Sequence, residues 1–219
     1  MVLPVSDGSE RRRALTKGER TRERLLRAAI DRFGAEGFRA TSVSQLSRDA
    51  GLTPAAAYAY FDDKEAFWRE AVQADLDALQ REIAAEVAKS ERPIIDSMFA
   101  LINGTQRHPL ARRVMVEGTP EDLQLVLAHP IFTGRTKIIE MVLQERQAAG
   151  TLPPDASAPE ISLGLETVLF SLLLTVVRAG MPGSGDRVNA VIALLSAAAG
   201  GPPTLQERLT AVLRPHGNR

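Results

Sequence analysis

Between positions 42 and 64 the chain gathers side chains suited to gripping a nucleic acid. They are the hydroxyls of Ser42, Ser44 and Thr53, the phenols of Tyr58 and Tyr60, and the ammonium of Lys64. Hydroxyl and ammonium groups donate to phosphate oxygens, and a phenol adds a ring that reaches base edges. The intervening Pro54, Ala55, Ala56 and Ala59 bring no polar side-chain group, but an alanine methyl can meet the methyl of thymine. Other chemistry is poorly served. The chain has no cysteine, which excludes disulfides, thiolate zinc sites and cysteine nucleophiles. Its three histidines, His108, His129 and His216, form no His-x-x-x-His pair. No G-x-S-x-G, P-loop or dinucleotide fingerprint occurs. No catalytic residue, metal site or cofactor is expected.

The elements that must position those groups are helices. Ser42 with Gln45 is a capping-box pair opening a helix whose apolar face is Val43, Leu46 and Ala50. Gly51 stands where the chain reverses, because a residue without a Cβ tolerates positive φ. Thr53 then caps a second helix, with Pro54 at its first position and Ala57 turned inward. Two short helices around a tight turn form a helix-turn-helix, whose second helix is built to enter a DNA major groove. Upstream, Thr16 and Glu19 open a helix to about Glu36, with Gly37 just past its end and Leu26, Ala29, Ile30 and Phe33 as its stripe. Downstream, Asp62 and Glu65 form a further box before a long helix from Lys64 to near Lys89. Its Phe67, Trp68, Ala71, Val72, Leu76, Leu79 and Ile83 keep helical spacing. The start of that helix offers unpaired N–H groups and a positive dipole end to a phosphate. Lacking Gly and Pro, it joins the small unit rigidly to the larger helical region beyond it.

Charge is distributed to match. The net charge is zero, yet residues 10–32 hold nine basic side chains against four acids, so this end carries +5 and the remainder −5. Such asymmetry is expected where one end meets phosphate. Beyond Pro93 the pattern stays helical, with segments at 94–103, 108–117, 121–128, 130–149, 159–179 and 187–199, and no convincing strand. The fold class is all-α. The expected division is a basic arm at 1–15, a DNA-binding unit at 16–63, a larger ligand-binding and dimerisation domain at 64–199, and a tail at 200–219 with a short amphipathic helix. The most apolar run, Val168 to Val177, falls short of the ~20 residues a membrane span needs. A buried or interface helix, no membrane and a cytoplasmic location are expected.

In FGAEGF (33–38), TSV (41–43), AGLTPAAAYAYF (50–61) and DKEAF (63–67) the chain resembles the tetracycline-repressor (TetR) family of bacterial regulators. The Tyr-x-Tyr-Phe element at 58–61 followed by Lys64-Glu65 is its most specific mark, and the likeness runs from about Thr21 to Phe67. The resemblance implies a homodimer on double-stranded DNA and repression relieved by a small molecule. It places DNA contacts at Ser42, Ser44, Thr53, Pro54, Ala55, Ala56, Tyr58, Ala59, Tyr60 and Lys64. One departure is plain. Relatives often carry a basic residue where this chain has Ser44, and alanines fill positions 55, 56, 57 and 59. Arginine on guanine and glutamine on adenine, each worth about 1–3 kcal/mol of discrimination, are absent there. Sequence reading would then lean on Ser44, Thr53, Tyr58, methyl contacts and an Arg11–Arg13 arm in a minor groove.

The resemblance also assigns the dimer contact to the last two core helices. There Leu165, Leu169, Leu172 and Val176, with Val191 and Leu195, would face the partner or the core. For an effector, Trp68, Phe99, Ile102, Met115, Phe132, Met141 and Phe170 supply apolar lining and Glu166 a polar group. Such a lining suits an apolar or amphipathic molecule. His108, Arg112 and Glu117 are further polar candidates. A ligand preferring one tilt of the head would change the separation of two reading helices and release DNA. The alternative reading is a low-specificity architectural or adaptor protein that binds DNA without choosing among sequences.

Overall fold

The computed structural model describes residues 16–88, 90, 93–179 and 185–199, and all regular structure among them is helical. The elements are α1 (Lys17–Glu36), α2 (Val43–Asp49), α3 (Pro54–Tyr58), α4 (Lys64–Val87) and α5 (Pro93–Gly104), then α6 (Pro109–Glu117), α7 (Pro120–Ala128), α8 (Pro130–Ala148), α9 (Ala158–Ala179) and α10 (Gly185–Ala199). The expected arm at 1–15, with Arg11–Arg13, and the tail at 200–219 lie outside the described residues.

Helices α1 to α3 form the reading head, and their ends are set by local chemistry. Both expected capping boxes are made: Thr16 accepts from Glu19 N–H at 3.2 Å, and Ser42 from Gln45 N–H at 3.3 Å, with each partner side chain reaching back. Gly37 (φ +82°) ends α1 and Gly51 (φ +65°) makes the turn after α2. The α1 stripe differs from the sequence expectation. Leu25, Ala28, Ala29 and Phe33 are buried, whereas Leu26 and Ile30 are only half-buried. Two adjacent leucines satisfy the helical period on neighbouring faces, and packing against α2 and α4 selects between them. The cap of α4 also shifts by one residue. Asp63, not Asp62, accepts Ala66 N–H at 2.5 Å, and this register leaves Glu65 outside any box.

Helix α4 belongs to both halves of the molecule. All seven apolar residues expected on its buried face are buried, and Asp75 joins them. Phe67 meets the head, stacking on Phe61 at 3.9 Å and edge-on to Phe33 at 6.5 Å. Leu76, Leu79 and Ile83 continue the same core among Leu101, Leu110 and Val114 of the body. Helices α8 and α9 pack side by side, and α10 lies on α9. One apolar core thus runs unbroken from α1 to α10.

Buried polar groups in the body are paired. Asp75 accepts from Ala111 N–H at 2.9 Å and contacts His108 Nδ1 at 2.7 Å, and His108 Nε2 lies 3.2 Å from Glu82. Arg135 on α8 donates twice to Glu166 on α9, at 2.8 and 2.6 Å, with both side chains more than nine-tenths buried. Charges this deep persist only when each has its partner.

Candidate nucleic-acid interface

The turn between α2 and α3 is braced from behind. Gly51 at positive φ reverses the chain, and Leu52 N–H donates to Ser47 carbonyl at 2.8 Å. Arg24 of α1 donates to the carbonyl of Ala50, occupying the end of α2. A Cβ on Gly51 would stand 2.9 Å from that guanidinium, so glycine is required for space as well as for φ. Arg32 grips the same helix, donating to Asp49 at 2.5 and 3.1 Å while also pairing with Glu36. These hydrogen bonds from Arg32 hold the Asp49 carboxyl below the usual range. Sequence reasoning missed both arginines as structural braces, having counted them as phosphate-seeking charge. Helical spacing from Arg24 to Arg32 could have placed them on one face, but their targets are remote in sequence.

Helix α3 turns one residue inward and the rest outward. Thr53 accepts Ala56 N–H at 3.3 Å and Pro54 fills the first position, as the sequence requires. Ala57 is buried, anchoring the helix. Thr53, Pro54, Ala55 and Ala59 are exposed, Ala56 is half-buried, and Tyr58 is 55% exposed. Ser42 and Ser44 of α2 are exposed as well. Tyr60 behaves differently. It is half-buried against the head's core, and its hydroxyl lies toward α1, 3.8 Å from where a Cβ on Gly18 would stand. Lys64 sits at the first position of α4, its ammonium 4.2 Å over the ring of Phe38. The Asp63 carboxylate already caps that helix start, so a phosphate arriving there meets one N–H fewer and an adjacent negative charge.

Head and body meet at a second brace. Arg113 of α6 donates to the carbonyls of Gly34 and Ala35 at 2.8 and 2.9 Å and pairs with Glu117. Gly34 permits the approach, since a Cβ there would stand 3.0 Å from Pro109. Beside this contact a cleft of about 820 Å³ opens between the α1–α2 loop, the start of α4, and helices α6 and α7.

Of the eight residues expected around an effector, only Trp68 lines that cleft. Its indole N–H donates to Asp122 at 2.7 Å. Ile102, Met115 and Phe132 are buried in the core, while Phe99 and Phe170 are half-buried. Phe132 and Phe170 meet edge to face at 5.3 Å. Glu166 is taken by Arg135, and Met141 is 60% exposed on α8. Among the further polar candidates, Arg112 is exposed, His108 is held between Asp75 and Glu82, and Glu117 is at the cleft.

The expected dimer residues divide in a similar way. Leu165, Leu169, Leu172 and Val176 are all buried against the protomer's own core, which corrects their assignment to a partner. Val191 is half-buried, and the Leu195 side chain lies outside the described residues. Periodicity cannot tell two apolar faces of one helix apart, and α9 is apolar on both. Leu163 (62% exposed), with half-buried Phe170 and Leu174, forms its outer stripe, and Leu194 of α10 is 47% exposed. By length and composition α9 could cross a bilayer, a wider apolar span than its ten-residue centre. In the fold its inner half is covered by the body.

The sequence profile of the bacterial regulatory proteins of the tetR family matches residues 25–71. The HTH-type transcriptional regulator YdgC of Bacillus subtilis is 40% identical over 101 residues, 46% of this chain. The chain spans about half the length of that relative, at 45%. The HTH-type transcriptional regulator SrpR of Pseudomonas putida is 26% identical over 75% of this chain and 76% of its own. Among solved structures, FadR of Bacillus subtilis in complex with stearoyl-CoA superposes with a TM-score of 0.58 at 14% identity, covering 83% of this chain and 99% of that one.

Proposed function

The chain belongs to the tetR family of bacterial regulatory proteins, and from that premise we propose that it is a dimeric, ligand-responsive transcriptional repressor. It binds a (pseudo)palindromic operator and is released by a small apolar or amphipathic effector. The observation that carries this reading is the outward face of α3, with Thr53, Pro54, Ala55 and Tyr58 exposed while Ala57 and three arginine braces hold the helix. Ser42 and Ser44 extend the face along α2, and Lys64 and Tyr60 flank it. With few hydrogen-bonding groups on α3, discrimination falls to Ser44, Thr53, Tyr58, alanine methyls against thymine, and the Arg11–Arg13 arm.

One protomer reads half a site, and paired recognition helices stand about 34–36 Å apart or a multiple of that. The surface proposed for pairing is the outer stripe of α9 with α10, Leu163, Leu174 and Leu194, because it is apolar and left uncovered by the protomer. The effector is proposed to act on the body among Phe99, Ile102, Met115, Phe132 and Phe170. The FadR neighbour holds an acyl-CoA in the same fold, which supports an amphipathic molecule. Coupling to DNA runs through α4 and the Arg113 brace, which both connect body and head. A shift from 1:99 to 99:1 between head angles needs about 5.5 kcal/mol of differential affinity, shared between two protomers.

Binding to duplexes from the chain's own promoter region, against random duplex at fixed salt, tests this reading. A regulator discriminates by about 10³ or more. A ratio near one favours the architectural alternative. Removal of residues 1–15 is expected to lower the ratio, and an unchanged ratio takes the arm out of the account.

A further inference from the structure

We propose that the cleft between head and body is a second ligand site, that it takes an aromatic organic cation, and that filling it fixes the angle of the head. The proposal rests on the regulatory reading and adds a site and a ligand class to it. At about 820 Å³ the cleft falls within the range of small-molecule sites. Its floor is aromatic, with Phe38 and Trp68 meeting edge to face at 5.5 Å beside Val114 and Leu125. The Trp68 N–H is already donated to Asp122, so the floor offers π-surface and no free donor to recognise an anion. The rim carries five carboxylates, Glu36, Glu65, Glu117, Glu121 and Asp122, against three guanidinium groups. One of those, Arg113, is committed to the Gly34 and Ala35 carbonyls and to Glu117.

A cation entering there gains from the acid excess, which a concave, low-dielectric wall focuses. It also gains from the aromatic faces, with Trp the strongest cation–π partner. Phe38 already accepts such a charge, since the Lys64 ammonium lies 4.2 Å over its ring. The walls come from both halves: residues 36–39 belong to the head, and Arg113, Glu117, Glu121 and Leu125 to α6 and α7. A ligand touching both walls favours the one head angle at which both are in reach.

Trp68 is the single tryptophan of the chain, so intrinsic fluorescence reports on the cleft floor alone. The full chain is titrated without DNA using three flat probes of similar size: N-methylacridinium, neutral acridone and anionic acridine-9-carboxylate. The cation is expected to quench saturably and to bind at least about tenfold more tightly than either of the others. The double substitution Glu65→Gln/Glu121→Gln, at two exposed rim positions, is expected to weaken the cation about tenfold with the urea midpoint unchanged. Absent saturable quenching, an anion bound as tightly as the cation, or an unaltered affinity in the double variant would each overturn the proposal. Operator discrimination is measured on the same preparations. Discrimination without quenching defeats the cleft site alone; quenching without discrimination supports the site and defeats the regulatory reading.

Discussion

The reading head and the body are both helical, yet they are held together by different means. In the head, helices of five to twenty residues are fixed at their ends by Thr16, Ser42 and Thr53 caps, by Gly37 and Gly51, and by arginines that satisfy or grip a neighbouring helix terminus. In the body, helices are defined by broad apolar faces, and its polar contacts, Arg135–Glu166 and Asp75–His108, lie within the packing. The head is therefore positioned by many small local terms. The body relies on burial and on a few pairs that fail together. A surface that must present α3 at one angle gains from the first design; a domain that must repack around a ligand gains from the second.

The strongest challenge to this contrast is Glu166→Gln. It leaves the Arg135 guanidinium buried beside a neutral partner, and breaking such a pair from one side costs about 3–5 kcal/mol. The urea midpoint should fall sharply. Replacing both residues, Arg135→Met with Glu166→Leu, should recover most of the loss or exceed the parent, because two desolvated charges give way to apolar packing. If the single change costs no more than a surface substitution, the pair is not buried as described. Next in size is Gly51→Ala, which forces a Cβ into positive φ and against Arg24. A loss of about 1–3 kcal/mol is expected, and operator affinity should fall further than stability alone accounts for. Equal losses in both would mean that the turn holds the head together without aiming it.

How much of the fold and the site is legible in the sequence divides along the same line. Caps, Gly51 and Pro54 act within four residues of themselves, so sequence reads them directly, and both expected boxes in the head are present. Asp62-Asp63 is the instructive exception: either aspartate can cap α4, and only the packing of Phe67 and Trp68 fixes the register. The seven apolar residues of α4 are legible because that helix has one buried face. Leu165, Leu169, Leu172 and Val176 are not assignable, because α9 is apolar all round and nothing local marks which stripe the protomer keeps. Arg135 is invisible for a further reason. Its partner is 31 residues away, and a lone arginine in a helical run reads as solvated surface. The cleft beside Trp68 is also a product of tertiary approach between α1 and α6, which no spacing encodes.

A smaller effect separates capping from base contact at Thr53. Thr53→Ala removes the acceptor for Ala56 N–H and should cost about 1 kcal/mol, whereas Thr53→Ser keeps the cap and should cost little. If operator affinity falls equally for both variants, the threonine methyl touches DNA. If only the alanine variant binds more weakly, Thr53 acts by holding α3.

The smallest expected effect concerns Asp49, and its sign is fixed by the direction of its shift. Hydrogen bonds from Arg32 depress its folded-state pKa, while the unfolded chain titrates near 3.9. The unfolded state therefore takes up the proton first as pH falls. The stabilisation is complete above about pH 4–5 and is lost as pH drops through the depressed folded value. Asp49 is about one-third exposed, so solvent screens the pair and the contribution is a fraction of a kcal/mol. Asp49→Asn should leave the α1–α2 contact in place and flatten the acid limb of a stability-versus-pH curve, with little change at pH 7 beyond the lost ion pair. The Glu19 carboxyl in the α1 capping box is also held low, by the Thr16 backbone N–H first and its side chain second, so some acid dependence should persist in the variant. An acid limb that is unaltered in Asp49→Asn would assign the head's acid sensitivity to its helix caps and leave the Arg32 grip a matter of geometry alone.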